Sequence, residues 1–322
     1  MKAAVVHEVG GVPRYEDFPD PVPQDGEVLL RVRAVAVENV DRAIVAGEHY
    51  TAARYLAALP MIPTFDGVGE LPDGTLVTFG NVRPPYGALA ELCAVDPGLT
   101  RPIPAGIDPT VLSVLSSAVT AMSIRAAGEL EPGQTVLVQG GTGVAGRLTV
   151  KIARLLGAGR VVVTGRDDDQ LRELRELGAD TVINTAVPDD DLLRAYRDAA
   201  GDGYHVIADY LWGRPTDVLL RALVPDTFAL GRRTRLVQIG EVAGAETTVP
   251  AASLRTSGLE IVGAATGLDA ESFPAVYEQV LSWVRAGELT VGLATVPLRD
   301  VGAAWQRTDL RGRRLVVLPQ EQ

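Results

Sequence analysis

The residues with the clearest chemical assignment are the glycines of TVLVQGGTGVAG, where Gly141, Gly143 and Gly146 satisfy the spacing G-x-G-x-x-G. In that pattern one glycine permits a tight strand-to-helix turn, the next lets the backbone approach a pyrophosphate, and the third lets the helix lie close to the sheet. Gly141, Thr142, Gly143, Val144 and Gly146 are therefore the candidate phosphate loop, with the anion at the positive end of the following helix. A glycine-rich turn can also be purely structural; the strand before it and the helix and second strand after it favour dinucleotide binding. About twenty residues on, where an NAD-binding chain usually carries an acid for the ribose hydroxyls, this chain has Gly165 and Arg166. A guanidinium there suits a 2′-phosphate, so NADP(H) is expected over NAD(H), with Arg172 available to assist. Asp167, Asp168 and Asp169 follow at once and would weaken a phosphate site unless they cap the next helix and point away.

Such a loop needs a parallel sheet to hold it. From Thr135 onward, β-branched runs (TVLVQ, RVVVT, TVIN, HVIADY, RLVQIG) alternate with helix-length amphipathic segments, the pattern of a doubly wound α/β fold. In the helix after the loop, Val144, Leu148, Ile152 and Leu155 fall on one face. DPTVLSVLSSAVTAMSIRAAG, from Asp108 to Gly128, reads as a helix with a capping Asp and Pro at its first position. Before it the chain is β-rich: VLLRVRAVAV places Arg31 and Arg33 on one face, and short apolar runs alternate with Pro- and Gly-rich turns, suggesting a barrel-like domain. After about Ala252 come a strand-like LEIVGAA, a helix and a final strand RLVVLP.

Composition narrows the partners. A net charge of -11 disfavours nucleic acid or an anionic membrane surface, leaving a small-molecule substrate. No run approaches the ~20 apolar residues of a bilayer span, and the opening MKAAVVHEVGG is too short and polar for a signal peptide, so a cytoplasmic protein is expected. The single cysteine, Cys93, excludes an intramolecular disulfide and a multi-thiolate metal site within one chain.

The run GGTGVAGRLTVKIARLLGAGRVVVTGRD with LRELGADTVIN resembles the cofactor domain of medium-chain dehydrogenases/reductases, especially the zinc-free quinone oxidoreductase-like and enoyl reductase branch. MKAAVVHEVGG, PQDGEVLLRVRAVAV, DGVG, YGALAE, LRDVGAAWQR and RRLVVLP carry the resemblance over essentially the whole chain. It implies an α/β fold in which a Rossmann NADP-binding domain (119–251) is inserted in a GroES-like β-rich catalytic domain (1–118 and 252–322), with nicotinamide and substrate meeting between them. A homodimer through the Rossmann edge strand at 259–265 is also implied. Asp66 stands where zinc-dependent relatives carry a histidine-glutamate pair, so no metal is expected.

The resemblance also points to catalytic groups. In VENVDRAIVAGEHY, Asp41 and Gly47 keep the family's N-x-x-D spacing, but Glu38 occupies the Asn position and Asn39 follows it. Either Glu38 is a proton donor with a raised pKa, or Asn39 does the amide's work and Glu38 is salt-bridged, to Arg42 or Arg54. Tyr50 or His49 matches the region of the enoyl reductases' tyrosine. Thr120 corresponds to a hydroxyl beside the nicotinamide, and Asp209 and Gly240 to residues lining the cofactor cleft; Thr64 replaces a usual glycine. The implied activity is NADPH-dependent hydride transfer to a quinone or conjugated double bond. A carbonyl or biosynthetic tailoring reductase, or an inactive NADPH-binding sensor, would share this scaffold.

Overall fold

The structure, a computed structural model, describes residues 1–104, 106–112, 115–226 and 232–320. Its strands are β1 (Lys2–Val5), β2 (Arg14–Asp17), β3 (Val28–Val37), β4 (Gly67–Glu70), β5 (Leu76–Phe79), β6 (Leu92–Val95), β7 (Arg101–Pro102), β8 (Thr135–Gln139), β9 (Arg160–Gly165) and β10 (Thr181–Asn184). There follow β11 (Val206–Asp209), β12 (Thr234–Gln238), β13 (Leu259–Gly263), β14 (Leu293–Pro297) and β15 (Arg314–Leu318). Two units divide the chain: Met1–Leu115 together with the stretch from Val291 onward, and Ser116–Thr290.

In the first unit the strand order is β14-β15-β3-β4-β5-β7, with β6 also on β3 and a separate β1-β2 pair. The β3 register explains the arginines: Arg31 is exposed and Arg33 half-buried, alternating with the buried Val32 and Ala34. Arg33 Nε donates to Glu70 Oε2 at 2.9 Å across the sheet. The last strand closes this unit, because β15 runs antiparallel to β3 with Leu315 opposite Val37 and Val317 opposite Val35. Cys93 is buried here, its thiol donating to Gly87 O at 3.2 Å, and burial raises its pKa, as befits a core residue.

The second unit is the doubly wound sheet, ordered β10-β9-β8-β11-β12-β13 and parallel throughout. Its central strands are continuous apolar runs because helices cover both faces; Val161, Val162 and Val163 of β9 are fully buried. The sequence reading ended this unit at residue 251. It continues to Thr290 because β13 pairs with β12, from Thr234 opposite Leu259 to Gln238 opposite Gly263, so the return to the first unit starts only at Val291.

One helix departs from expectation. The segment from Asp108 to Gly128 forms Pro109–Leu112, Leu115–Ala121 and Ser123–Ala126 rather than one helix, with Met122 between the last two; residues 113 and 114 of that reading lie outside the described residues. Asp108 does cap the start, accepting from the Thr110 backbone N–H at 2.8 Å. The helix Val144–Leu155 lies where the sequence places it; of the four residues on its apolar face Leu148 and Ile152 are buried and Val144 and Leu155 half-buried. Gly146, Val150 and Ala153 are buried beside them, since small residues allow close approach.

A chain of buried polar groups ties the carboxyl ends of β8 and β11 to the neighbouring helices. Tyr196 Oη donates to Gln139 Oε1 at 2.6 Å, Gln139 Nε2 donates to Thr216 Oγ1 at 3.1 Å, and Thr216 Oγ1 donates to Asp209 Oδ2 at 2.6 Å. Removing one member leaves a buried neighbour unsatisfied, which costs more than the bond itself. Tyr196→Phe is therefore expected to lower stability by about 1 to 3 kcal/mol. Equilibrium denaturation checks this, and an unchanged stability would mean that Gln139 finds another donor.

Candidate functional site

The phosphate loop occupies the turn between β8 and the helix Val144–Leu155, beside the point where the strand order reverses from β8 to β11. In doubly wound sheets ligands bind at such a reversal, outside the carboxyl ends of the strands. The tight turn is made by Gly140, whose φ is +85°, and not by Gly141 as the sequence reading had it. Gly141 is required for another reason: a Cβ there would overlap the Val163 side chain. At Gly146 a Cβ would overlap the Gly140 carbonyl, so this glycine brings helix and turn together as expected.

Gly143 differs in kind. It is exposed and caps the helix, and a Cβ on it would meet only Gly140 O at 3.7 Å, an ordinary contact. The protein's own packing does not demand glycine there, whereas a ligand approaching the helix N-terminus does. Thr142 packs against the end of β9, where a Cβ on Gly165 would press on its methyl group; Val144 is half-buried in the first turn. On β12's side, a Cβ on Gly240 would come within 2.9 Å of Tyr210 O, so Gly240 allows the loops after β11 and β12 to touch. Arg147 braces the loop from behind, donating to Thr142 O at 3.2 Å and to Glu173 Oε2 at 2.8 Å. Neither Gly140 nor Arg147 was singled out from sequence; the doubled glycine was the available signal for the first.

Arg166 is exposed at the end of β9. The three acids after it are engaged elsewhere. Asp167 caps the next helix, accepting from the Asp169 and Gln170 N–H groups at 3.0 Å each; Asp168 accepts from Asn184 Nδ2 at 2.7 Å; Asp169 is paired with Arg172. Arg172 is thus held by its neighbour rather than turned to assist Arg166. Thr120 is half-buried and donates to Ser116 O at 2.9 Å, the backbone bond that helical threonines commonly make. Asp209 is fully buried, and its Oδ1 accepts from the N–H groups of Leu211 (2.9 Å) and Trp212 (3.0 Å). Burial raises its pKa against those bonds.

In the first unit the acidic candidates surround the start of the helix Asn39–Ala46. Glu38 is its N-cap, and the Glu38 N–H donates to Asp41 Oδ2 at 2.7 Å. Glu38 Oε1 lies 3.3 Å from Arg314 Nη2, while Arg314 Nη1 donates to Val37 O at 3.1 Å. Glu38 is thus ion-paired, with a partner from β15 and not Arg42 or Arg54; Arg42 instead lies over the Trp305 ring, 5.6 Å from its centre. Asn39 is exposed. Tyr50 is 90% exposed and its ring packs on His49 with centroids 4.2 Å apart; His49 Nδ1 is 2.8 Å from Thr51 Oγ1. Thr64 is buried and takes the left-handed conformation at φ +65°, a strained position for a β-branched residue.

Around this helix start, Asp41 has a displaced proton affinity. It is 3% exposed, its Oδ1 has no hydrogen-bond partner, and burial raises its pKa well above the ordinary carboxylate range, reinforced by the charges of Asp66 and Glu38. The folded state therefore holds a proton that the unfolded chain releases. Its contribution to stability is complete at pH below the ordinary carboxylate range and is lost as pH rises toward the raised value. Asp41→Asn cannot titrate, so the variant is expected to gain stability relative to wild type as pH rises from about 4. Paired thermal melts across pH check this, and a difference independent of pH would mean that Asp41 ionises normally.

Comparison with known proteins follows this geometry. The family described as zinc-binding dehydrogenase matches residues 145–285. Among the described residues, no group of three or more His, Cys, Asp or Glu side chains is placed to hold a metal ion. The chain is 28% identical over 350 aligned positions to a probable NADPH-dependent quinone reductase of Emericella nidulans, covering 95% of this chain and 96% of that protein. Prostaglandin reductase-3 of Bos taurus is 27% identical over 306 positions, covering 89% of this chain and 76% of its own. The quinone oxidoreductase of Thermus thermophilus, solved alone and with NADPH, aligns over 99% of this chain and 100% of its own, at 26% identity and a TM-score of 0.76. By its phosphate loop, its strand order and these relatives, the chain is similar to the medium-chain dehydrogenases/reductases, and in particular to their quinone oxidoreductase-like branch.

Proposed function

We propose that this protein is an NADPH-dependent oxidoreductase that reduces a quinone or a conjugated carbon-carbon double bond without a metal. The observation that carries the reading is the pairing of an open helix N-terminus at Gly143 with an exposed Arg166 whose three acidic neighbours are engaged by their own partners. The first fits a pyrophosphate and the second a 2′-phosphate. Relatives named as NADPH-dependent quinone reductase and alkenal/one oxidoreductase support the same reaction class.

When bound, NADPH supplies a hydride to the electron-poor carbon of the substrate. The chain's own residues then hold the developing enolate or phenolate and deliver a proton. Glu38 is committed to Arg314 and the helix cap, so its carboxylate sets the helix start. Asp41 is sealed from solvent and acts as a positioning residue, holding the Glu38 backbone N–H. Asn39, exposed on the first turn, offers an uncharged amide to a substrate oxygen, and the exposed Tyr50 phenol offers a proton. In the second unit Gly141, Thr142, Gly143, Val144 and Gly146 hold the pyrophosphate, Gly165 and Arg166 the 2′-phosphoribose, and Thr120 and Gly240 the nicotinamide end. The finer assignments of a cytoplasmic location and of a homodimer through the edge strand β13 belong to the same proposal. Among the described residues β13 pairs on one side only, and Ile261 on it is 36% exposed.

Wild type is expected to bind NADPH more tightly than NADH, and Arg166→Ala to narrow that preference by about 1 to 3 kcal/mol, the scale of a lost charge-assisted contact. Titrating both cofactors against both proteins tests this, and equal wild-type affinities would remove the assignment. Glu38→Gln is expected mainly to lower the melting temperature. Asn39→Ala is expected to slow NADPH oxidation with an enone or quinone panel by roughly 10²-fold, the lower end of what such assistance contributes. The reverse ranking, with a stable but slow Glu38→Gln enzyme, would make Glu38 the proton donor.

A further inference from the structure

We propose that the indole of Trp212 is the stacking face for the adenine ring of the bound dinucleotide, a deepening that rests on the NADP(H) reading above. Trp212 closes the turn after β11 with φ 55° and ψ -160°, a conformation close to the region populated essentially by glycine. A glycine would take it without strain, so keeping the largest side chain there calls for a use of that side chain. The structure over-determines the turn. Asp209 Oδ1 accepts from both Leu211 and Trp212 N–H groups, the Ala243 N–H donates to Leu211 O at 2.8 Å, and Gly213 continues the turn at φ +55°.

The ring is suitably placed and suitably open. Trp283 and Trp305 are each 8% exposed, whereas Trp212 is only half-buried. It packs against the cluster containing Leu192, Tyr196 and Val218, at the carboxyl ends of the strands where a ligand lies. Arg214, two residues on, donates to Thr185 O at 2.9 Å and Val187 O at 2.6 Å in the segment after β10. The Trp212 turn therefore adjoins the β9-β10 half of the sheet, the half that carries Arg166. A dinucleotide whose 2′-phosphate meets Arg166 has its adenosine on that half, and adenine is the flat, weakly polar ring that an exposed indole face binds well.

The test uses the full-length protein with NADPH and with adenosine 2′,5′-bisphosphate, which carries only the adenine half. Trp212→Gly is expected to melt at the same or a higher temperature, yet to bind both probes roughly ten-fold or more weakly. In turnover, KM for NADPH rises and kcat at saturation holds. Wild-type tryptophan fluorescence is quenched by the bisphosphate, and Trp212→Phe loses that quenching while keeping most of the affinity. Should the glycine variant not fold, Trp212→Leu against Trp212→Phe decides: weaker binding by leucine alone supports stacking, and equal binding by both overturns it. Unchanged bisphosphate affinity in Trp212→Gly, or a fall in kcat without a change in affinity, also overturns the proposal. A wild type that binds neither probe overturns the NADP(H) reading itself, so the two failures are distinguishable.

Discussion

The buried hydrogen-bond chain from Tyr196 through Gln139 and Thr216 to Asp209 is the constraint on which the second unit's working end depends. Gln139 is the last residue of β8 and Asp209 the last of β11, so the chain joins the two strands between which the sheet reverses direction. One residue beyond Gln139 the backbone turns at Gly140, and three beyond Asp209 it turns at Trp212. Each buried member satisfies a neighbour that would otherwise be desolvated without a partner, so the arrangement tolerates little displacement. Rigid placement of both turns follows from that intolerance, and a site for a long, multiply charged ligand needs such placement.

The first unit uses charge in the opposite way. Asp41 is enclosed until its carboxyl favours the protonated form, while Glu38, three residues earlier, keeps a partner in Arg314. One acid is silenced by burial and the other by pairing. What the helix Asn39–Ala46 offers to solvent at its start is then the neutral amide of Asn39. A helix start stripped of free negative charge suits a reaction that accumulates negative charge on substrate oxygen.

How far the sequence could be read divides along the range of the interactions. The alternation of β-branched and amphipathic runs, the glycine spacing and the departure at Arg166 are local, and each lies where it was read. Tertiary pairing was not legible. Glu38's partner is Arg314, supplied by a strand at the far end of the chain, and nearby arginines were the natural guess. The second unit's extent depends on β13 joining β12; the resemblance names 259–265 as the Rossmann edge strand, yet the boundary at 251 leaves it outside that unit. The break at Met122 falls where the sequence has neither Gly nor Pro, so no local breaker marks it. Trp212 is the sharpest case, because side-chain preference argues against the backbone conformation that it takes.

The pairing of β15 with β3 bears on how the polypeptide is assembled during synthesis. The second unit is contiguous, Ser116–Thr290, and all of its strands are synthesised before β14 and β15. The first unit begins earlier but cannot complete its sheet until the final strand arrives, because β6 covers Val28–Arg31 of β3 early while Val35–Val37 wait for β15. The later-encoded unit is thus the first whose sheet can close, and the aggregation hazard of the nascent chain is concentrated on the early β-rich segment that waits for its last partner.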